Sequence, residues 1–434
     1  MINDRAQIWP NTYSRMQEAC KRYLDSLEAI HELAEFATEH VVKLDEKRPA
    51  EIHISIGTPD ARDPERHRSI FVQFLRGFAA RLAEETQDGK PMVIEFARVF
   101  EGFTEEFKDK LPDEAGDFDI TLEVDKPRGR TDLLLASLLI AAVSDFEVLF
   151  SSIASSFFRM HPEALKAHDT KIAWSEIEAY ESLDDLRSHF IDDRVDRLMR
   201  EGFDDWMKWL ESQLKIRFEN ASLNPDRTIE IFQRRHIIVH NGGNASVQYL
   251  SRVPSARSTV AVGTPLPVSI EYLESALDML TVIGVSITYL VARKLCPTES
   301  QHQDIDNDVL RLTFRLLCQH KWQVVETVST ISLPEMKHEY DRCAVRVNRW
   351  IALKYLNSGV ALLEEVRQWD VSALQGIFSV AQKALLDDPS AADAAIDLIK
   401  LGDLSQEQID TWPLFDNIRG QILDLLSAKS SEET

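Results

Sequence analysis

The sequence predicts a mainly α-helical protein, with a small mixed α/β segment at its N-terminal end and helical hairpins at its C-terminal end. Three observations support this fold class. Apolar residues recur at helical spacing through most of the 434 residues. Alternation of apolar and polar residues, as in a half-buried strand, occurs in two short N-terminal stretches. In the last third, breakers such as residues 387–393 separate Ala/Leu-rich segments.

Residues 1–127 combine both types of element. The first helix is predicted from apolar side chains on one face, among them Tyr23, Leu27 and Ile30. The two alternating stretches read EIHISIG and GDFDITLEVDKP, and the second ends at a Lys-Pro-Arg-Gly breaker. We expect either a small α/β unit or a decoration of the next domain. The candidate elements, in order, are a helix over residues 12–43, a strand over 51–57, a helix over 67–84, a short apolar run over 92–96 and a strand over 116–127.

Residues 128–298 are predicted to form a helical bundle. A long apolar helix covers residues 131–159, and an amphipathic stretch over 175–216 is broken at Gly202. The next helix starts near Arg227 and stops where Gly242 and Gly243 follow each other, since adjacent glycines favour the end of a helix. A last helix covers residues 269–294. The remaining predicted parts are a helical-hairpin domain over residues 303–425 and a flexible tail over residues 426–434.

Composition and charge restrict the classes of function. The net charge is −23, which repels polyanions at long range and argues against a protein that coats nucleic acid. Any nucleic-acid chemistry would need a local basic pocket. The four cysteines have no CxxC spacing, which disfavours a disulfide framework or a zinc ribbon and fits a reducing compartment.

Two apolar stretches, residues 133–150 and 280–292, are interpreted as buried core helices. The first contains Asp145 and Glu147, and the second is shorter than the roughly 20 residues that cross a bilayer. The first residues, MINDRAQIWPN, are polar and have no apolar run of the kind found in a signal peptide. We therefore expect a cytoplasmic protein without a membrane partner.

Several catalytic signatures are not present in the sequence: Walker A, GxGxxG, HExxH and GxSxG. The run DIDND, residues 304–308, begins like a calcium loop. Val309 occupies the position of the required turn glycine, and no acidic residue closes the loop at the right distance. We interpret this run as a solvated linker that leads into a helix.

The most informative stretch is RRHIIVHNGG, residues 234–243. It places Arg235 and His240 five residues apart, with the polar His236 and three aliphatic residues, 237–239, between them. Two glycines, residues 242–243, follow and favour the end of the helix. The Arg-to-His spacing alone is weak evidence, because this chain repeats it at three other places. The setting distinguishes the central copy from those three, which are Arg48–His53, Arg62–His67 and Arg315–His320.

This stretch resembles the signature of HEPN domains, an arginine followed after four to six residues by a histidine. The resemblance extends over about 170 residues. LLLASLLIAAVSDFEVLFSSI is similar to the first helix of the family, with Glu147 where an acidic residue often faces the motif. EGFDDWMKWLES is similar to the segment before the motif, and VQYL and the stretch at 266–272 are similar to the segments after it.

The resemblance implies metal-independent RNA cleavage, with neither cofactor nor metal. A histidine takes the proton of a ribose 2′-hydroxyl, and an arginine binds the phosphate oxygens. His240 would be the base and Arg235 the phosphate clamp. His236 would orient or assist, Asn241 would position the scissile group, and Glu147 would hold Arg235. The candidate substrate-binding residues around them are Arg234, Arg252 and Arg257.

Geometry adds a constraint on this site. On a helix of about 100° per residue, Arg235 and His240 lie about 140° apart, so one helix does not easily aim both at one phosphate. HEPN nucleases resemble an arrangement in which two protomers meet at this helix and combine their motifs in one site. The resemblance therefore implies a homodimer through this domain. The expected substrate is tRNA or another RNA, in a toxin–antitoxin or antiphage role with a regulatory or antitoxin protein as a further partner.

Two alternatives remain open at this point. The HEPN domain would instead be a non-catalytic scaffold that dimerises and recruits a partner protein. His236 and His240 also share a helix face at the i, i+4 spacing of zinc ligands, although no third ligand is evident from the sequence. The side chains around His240 would discriminate between the nuclease and the scaffold. A cleft of arginines favours a nuclease, whereas a motif closed off by Glu147 and aliphatic residues favours a scaffold.

Overall fold

The computed structural model describes residues 2–46, 51–57, 72–81, 92–109, 119–125, 129–167, 177, 180–216, 225–357 and 359–432. Its regular structure is helical apart from two short strands, so the prediction of a mainly α fold is confirmed. The chain divides into two compact units. One consists of Met1–Glu35 with Leu135–Thr434, and the other is Phe36–Leu134.

These units differ from the predicted division into residues 1–127, 128–298 and 303–425. The first helix, α1 (Ile2–Phe36), starts ten residues before the predicted helix at 12–43 and belongs for most of its length to the larger unit. The Tyr23 hydroxyl donates a hydrogen bond of 2.8 Å to the Leu280 carbonyl. The Tyr13 hydroxyl donates one of 2.6 Å to Asp308. Because these partners are 257 and 295 residues apart in sequence, local patterns do not reveal the association.

The unit Phe36–Leu134 contains the two strands. A π-helical turn, Ala37–Val41, leads into the short helix α2 (Val42–Glu46). Strand β1 (Glu51–Gly57) pairs antiparallel with strand β2 (Asp119–Asp125), with Glu51 opposite Asp125 and Gly57 opposite Asp119. The strands lie at the two stretches whose alternation predicts them.

Two helices lie between these strands in the sequence. Helix α3 covers residues 72–81, inside the predicted 67–84; the rest of that prediction lies outside the described residues. Helix α4 (Met92–Asp109) is much longer than the predicted apolar run at 92–96. The reason is a mostly aromatic cluster, in which side chains of α4 at helical spacing pack on side chains of α3. Its members are Phe74 and Phe78 of α3 and Val99, Phe100, Phe103 and Phe107 of α4.

Four helices of the larger unit carry and surround the motif. Helix α5 (Arg130–Met160) is the long apolar helix, and the predicted break at Gly202 separates α6 (Leu183–Met199) from α7 (Phe203–Leu214). Helix α8 (Pro225–Asn241) contains the motif. Aromatic side chains join three of these helices. Phe150 of α5 stacks on Trp206 of α7 at 4.9 Å between ring centroids, and Phe203 stacks on Phe232 of α8 at 4.7 Å.

The remaining helices complete the larger unit. After α8 come α9 (Val247–Arg252) and α10 (Ile270–Leu295), whose N-cap is Ser269, and the C-terminal helices follow. Adjacent members of this series pack together, α12 with α13 and α15 with α16. The C-terminal helices are α11 (His302–Cys318), α12 (Trp322–Ser332), α13 (Glu339–Tyr355), α14 (Gly359–Gln368), α15 (Gly376–Leu385), α16 (Ala391–Leu401), α17 (Gln406–Thr411) and α18 (Arg419–Glu432).

Helix α18 extends to Glu432, into the predicted flexible tail at residues 426–434, and the Ser427 hydroxyl donates to the Leu423 carbonyl one turn back. Residues 433–434 of that prediction lie outside the described residues. The acidic run at 304–308 is not a solvated linker. It lies inside α11, where Asp306 is fully buried and pairs with Arg293 of α10.

Helices α5 and α10 are each long and apolar enough to cross a membrane, by length and composition alone. In the structure, 50% of the most apolar window of α5 and 78% of that of α10 is buried within the chain. The core helix of a globular protein has the same length and composition, so these two helices are weak evidence for a membrane protein.

Candidate functional site

The motif occupies the C-terminal half of α8, and the helix ends at the two glycines as the sequence predicts. Gly242 and Gly243 have φ angles of +60° and +84°, a region that side chains with a Cβ rarely adopt. The Gly243 N–H donates to the Ile237 carbonyl at 3.0 Å, which closes the last turn. This stop fixes where His240 and Asn241 leave the helix.

Arg235 is held from the neighbouring helix. Its Nη2 donates to Oε2 of Glu147 on α5 at 3.1 Å, and the two side chains are 27% and 30% exposed. The Nε of Arg235 is buried and has no hydrogen-bond acceptor among the described residues. Since a guanidinium carries five N–H donors, the bond to Glu147 leaves other donors of Arg235 for a further anion.

His236 and His240 lie one helical turn apart, and their ring centroids are 4.7 Å apart. His240 is exposed, whereas His236 is half-buried. Burial lowers the pKa of His236 below its ordinary value, and the positive charges of His240 and Arg235 lower it further. The His236 imidazole is therefore favoured in its neutral form, which accepts a proton at one ring nitrogen.

Asn241 braces the turn after the helix. Its Nδ2 donates to the Asn244 carbonyl at 2.7 Å, and Nδ2 of Asn244 donates to the Asn241 carbonyl at 3.2 Å. Asn241 is exposed. The contacts that the structure shows for its side chain are those of the turn, and the positioning of a scissile group by Asn241 stays a prediction.

Arg234 belongs to a buried network centred on Glu230. Its Nε donates to Oε1 of Glu230 at 2.9 Å, and the two side chains are only 12% and 9% exposed. Glu230 also accepts hydrogen bonds from the hydroxyls of Tyr249 and Tyr272, at 2.9 and 2.8 Å, and from Arg227 at 3.1 Å. Burial, together with the charge of Glu230, raises the pKa of Tyr249 to about 12. This network joins α8, α9 and α10, which makes Arg234 a structural residue.

The other two candidate substrate arginines are also engaged within the chain. Arg252 forms an ion pair of 3.2 Å with Asp204 on α7. Arg257 donates to the carbonyls of Leu250 at 2.8 Å and Ser251 at 3.0 Å, and so caps the end of α9. The structure thus brings Arg235 to Glu147 and His236 to His240, but it ties Arg234, Arg252 and Arg257 to other partners.

The zinc alternative has limited support. Among the described residues, no group of three or more His, Cys, Asp or Glu side chains is placed to hold a metal ion. His236 and His240 therefore supply two of the four ligands that a structural zinc site ordinarily has.

Sequence reasoning missed the network around Glu230. The spacing of Glu230 from Arg227 and Arg234, three and four residues on one helix, indicates ion pairs on the surface of α8. It does not indicate the two tyrosines, because these lie 19 and 42 residues further along the chain.

Comparison of the chain with protein-family models, with curated proteins and with solved structures found no match.

Proposed function

We propose that this protein is a metal-independent endoribonuclease of the HEPN type that cleaves tRNA or another RNA. One observation carries the proposal. At the end of α8, Arg235 is oriented by Glu147 while the neighbouring His240 is exposed and the His236 ring lies 4.7 Å from it. A permanently charged guanidinium and an exposed imidazole on one helix are the side-chain chemistry that cleavage by a ribose 2′-hydroxyl requires.

The proposed reaction balances without a metal ion. The 2′-hydroxyl transfers its proton to the His240 imidazole, and its oxygen bonds to the adjacent phosphorus. The bond from phosphorus to the 5′-oxygen breaks, and that oxygen takes a proton from a second, protonated imidazole. The products are a 2′,3′-cyclic phosphate and a free 5′-hydroxyl. Arg235 stabilises the negative charge on the phosphoryl oxygens.

A homodimer would supply the second imidazole. Because Arg235 and His240 lie about 140° apart on α8, two copies that meet at this helix bring an Arg from one motif near a His from the other. The half-buried His236, whose lowered pKa favours the neutral form, would orient the attacking group rather than act as the acid.

The negative surface suits a regulated enzyme. With a net charge of −23, the protein attracts RNA only where a local positive charge outweighs the surrounding field. Arg235 also pairs with a carboxylate, Glu147, but this pair is partly exposed and leaves further N–H donors of Arg235 for a phosphate. The pair of Arg234 with Glu230 is buried, and Arg252 is bound to Asp204. A cytoplasmic toxin or antiphage role, with a regulatory or antitoxin protein that controls access to Arg235, is the corresponding biological proposal.

The decisive experiment is cleavage of total tRNA in the presence of EDTA. We expect the wild type to cut and to leave cyclic phosphate ends, and the variants Arg235→Ala and His240→Ala to lose roughly 10²-fold or more in rate. Matched controls are Arg187→Ala and His189→Ala, which change exposed residues on α6. Intact RNA with all proteins folded and dimeric would overturn the nuclease proposal.

A non-catalytic scaffold is the second candidate function, and two observations favour it. Arg234, Arg252 and Arg257 are bound elsewhere in the chain and do not form the arginine cleft expected of a nuclease. Val148 next to Glu147 and Val239 next to His240 are 68% and 48% exposed. Apolar side chains at the surface beside the motif suit a protein interface. In the scaffold case, Val148→Asp and Val239→Asp would abolish the dimer, while Arg235→Ala and His240→Ala would leave partner recruitment unchanged.

A further inference from the structure

A second candidate site lies away from the motif helix, among α1, α10, α11 and α12. These helices surround a cleft of about 310 Å³, at the lower end of the size range of small-molecule sites. Its floor is apolar and mostly buried, which gives an apolar ligand a surface to cover. The floor consists of Leu24, Leu27, Leu277, Leu312, Leu316 and Val324.

The polar side chains of the cleft have an excess of negative charge. Four carboxylates line it, Glu28, Glu32, Glu35 and Asp278, against the two basic side chains of Arg315 and Lys321.

Both basic side chains are already neutralised. Arg315 pairs with Glu28 and also, at 3.2 Å, with Asp25, and Lys321 pairs with Asp278 at 2.9 Å. Glu32 and Glu35 therefore provide the uncompensated charge of the cleft.

His31 lies on the same wall, and its Nε2 is 3.6 Å from Oε1 of Glu35, beyond hydrogen-bond distance. Its Nδ1 is enclosed by the protein, so a ligand in the cleft does not reach this atom.

We propose that this cleft binds an organic cation, with an ammonium or guanidinium head on an apolar body. The body covers the leucine floor. The head donates hydrogen bonds to the carboxylates of Glu32 and Glu35, since Arg315 and Lys321 pair with other carboxylates. An anionic ligand would meet the same uncompensated carboxylates and is disfavoured by like charge.

Calorimetric titration of the full chain with three matched probes tests this proposal: 4-phenylbutylamine, 4-phenylbutanol and 4-phenylbutyrate. We expect the amine to bind at least about tenfold more tightly than the alcohol, and the carboxylate to bind most weakly. Added salt should weaken binding of the amine and leave binding of the alcohol unchanged.

Two variants and one control distinguish the contribution of the carboxylates to binding from that of the apolar floor. The double change Glu32→Gln and Glu35→Gln should bring the affinity for the amine down to that for the alcohol. Leu24→Trp should block the cleft to both probes. Glu18→Gln, at an exposed position on the same helix and outside the cleft lining, should change neither affinity.

Three results would overturn the proposal: no heat of binding for the amine with folded wild type, equal affinities for the three probes, or an unchanged affinity for the amine in the double variant. Thermal unfolding of each variant establishes that the protein tested is folded.

Discussion

Glu147 of α5 and Arg235 of α8 are joined by an ion pair of 3.1 Å at the edge of an aromatic cluster. Phe146, which precedes Glu147, packs edge-to-face on Phe232, one turn before Arg235, at 5.4 Å between ring centroids. The aromatic pair fixes the spacing of the two helices, and the ion pair then fixes where the guanidinium points. Because both charged side chains remain about one-third exposed, solvent screens the pair, and it contributes little to stability.

Removal of Glu147 should therefore affect the chemistry more than the fold. For Glu147→Ala, we predict a change of about 1 kcal/mol or less in the free energy of unfolding, because exposed pairs contribute that much. We predict a loss of roughly tenfold or more in tRNA cleavage, because Arg235 is no longer positioned. Glu147→Gln, which still accepts a hydrogen bond, should retain more activity. Urea unfolding and cleavage rates measured on the same preparations test both; faster cleavage by Glu147→Ala would mean that Glu147 masks Arg235.

The buried Glu230 should matter far more for stability. Glu230→Ala leaves Arg234 without its carboxylate at a position where the side chain is 12% exposed, and also removes the acceptor of two tyrosine hydroxyls. We predict a cost of roughly 3–5 kcal/mol in the free energy of unfolding. Arg252→Ala breaks an exposed ion pair in the same unit and should cost about 1 kcal/mol or less. Equal losses in the free energy of unfolding for the two variants, measured by urea unfolding at pH 7, would contradict a stabilising network centred on Glu230.

The lowered pKa of His236 predicts a pH-dependent contribution to stability. Burial is the main cause, and the charges of His240 and Arg235 add to it. In the unfolded chain the imidazole titrates at about 6.5. Below this pH the unfolded chain takes up a proton more readily than the folded chain, so stability falls as the pH falls and recovers as the pH rises towards 6.5 and above.

His236→Gln removes that titration and so provides the measurement. The free energy of unfolding of the wild type, minus that of the variant, should increase between pH 5 and pH 7.5. The same change at the exposed His189 serves as the control for effects of buffer and histidine loss. A difference that does not vary with pH would refute the assignment of a perturbed imidazole to this position.

Local chemistry predicted much of the secondary structure around the motif. Gly202 separates two helices, Gly242 and Gly243 end α8, and Ser269 caps α10, each because a short-range backbone preference determines the boundary. The pair between Glu147 and Arg235 joins residues 88 positions apart, so spacing does not predict it, and only the untested resemblance to the HEPN signature suggested it.

The parts that the sequence did not predict depend on long-range packing. The pair of Arg252 with Asp204 joins residues 48 positions apart, and spacing does not indicate it. The i, i+4 spacing of Glu230 and Arg234 does indicate an ion pair, but not that two tyrosine hydroxyls bind the same carboxylate. Likewise, α1 joins the larger unit through Tyr13 and Tyr23, whose partners come from the second half of the chain.

Asp306 is the clearest case of a residue whose role depends on long-range packing, because the sequence places it in an acidic run that is typical of a solvated segment. In the structure its side chain is fully buried, and its Oδ1 pairs with Arg293. Its Oδ2 accepts the backbone N–H groups of Lys337 and His338, at 2.7 Å each. One carboxylate thus joins α10, α11 and the turn before α13.

Asp306→Asn keeps the size of the side chain but removes the charge that Arg293 faces. Since Arg293 is only 5% exposed, its guanidinium would be left buried without a counter-charge. We predict a loss of roughly 3–5 kcal/mol in the free energy of unfolding. Asp304→Asn, an exposed position two residues earlier in the same acidic run, should change the free energy by about 0.5 kcal/mol or less.

The double variant Arg293→Met and Asp306→Asn determines how much of this loss comes from the unpaired charge. Once the guanidinium is gone, the neutral Asn still accepts one of the backbone N–H groups, so the double variant should be more stable than Asp306→Asn alone. Urea unfolding of the wild type, the two single variants and the double variant closes the cycle. If the double variant is less stable than Asp306→Asn, the aliphatic part of Arg293 contributes more than its charge, and the pair acts through packing instead.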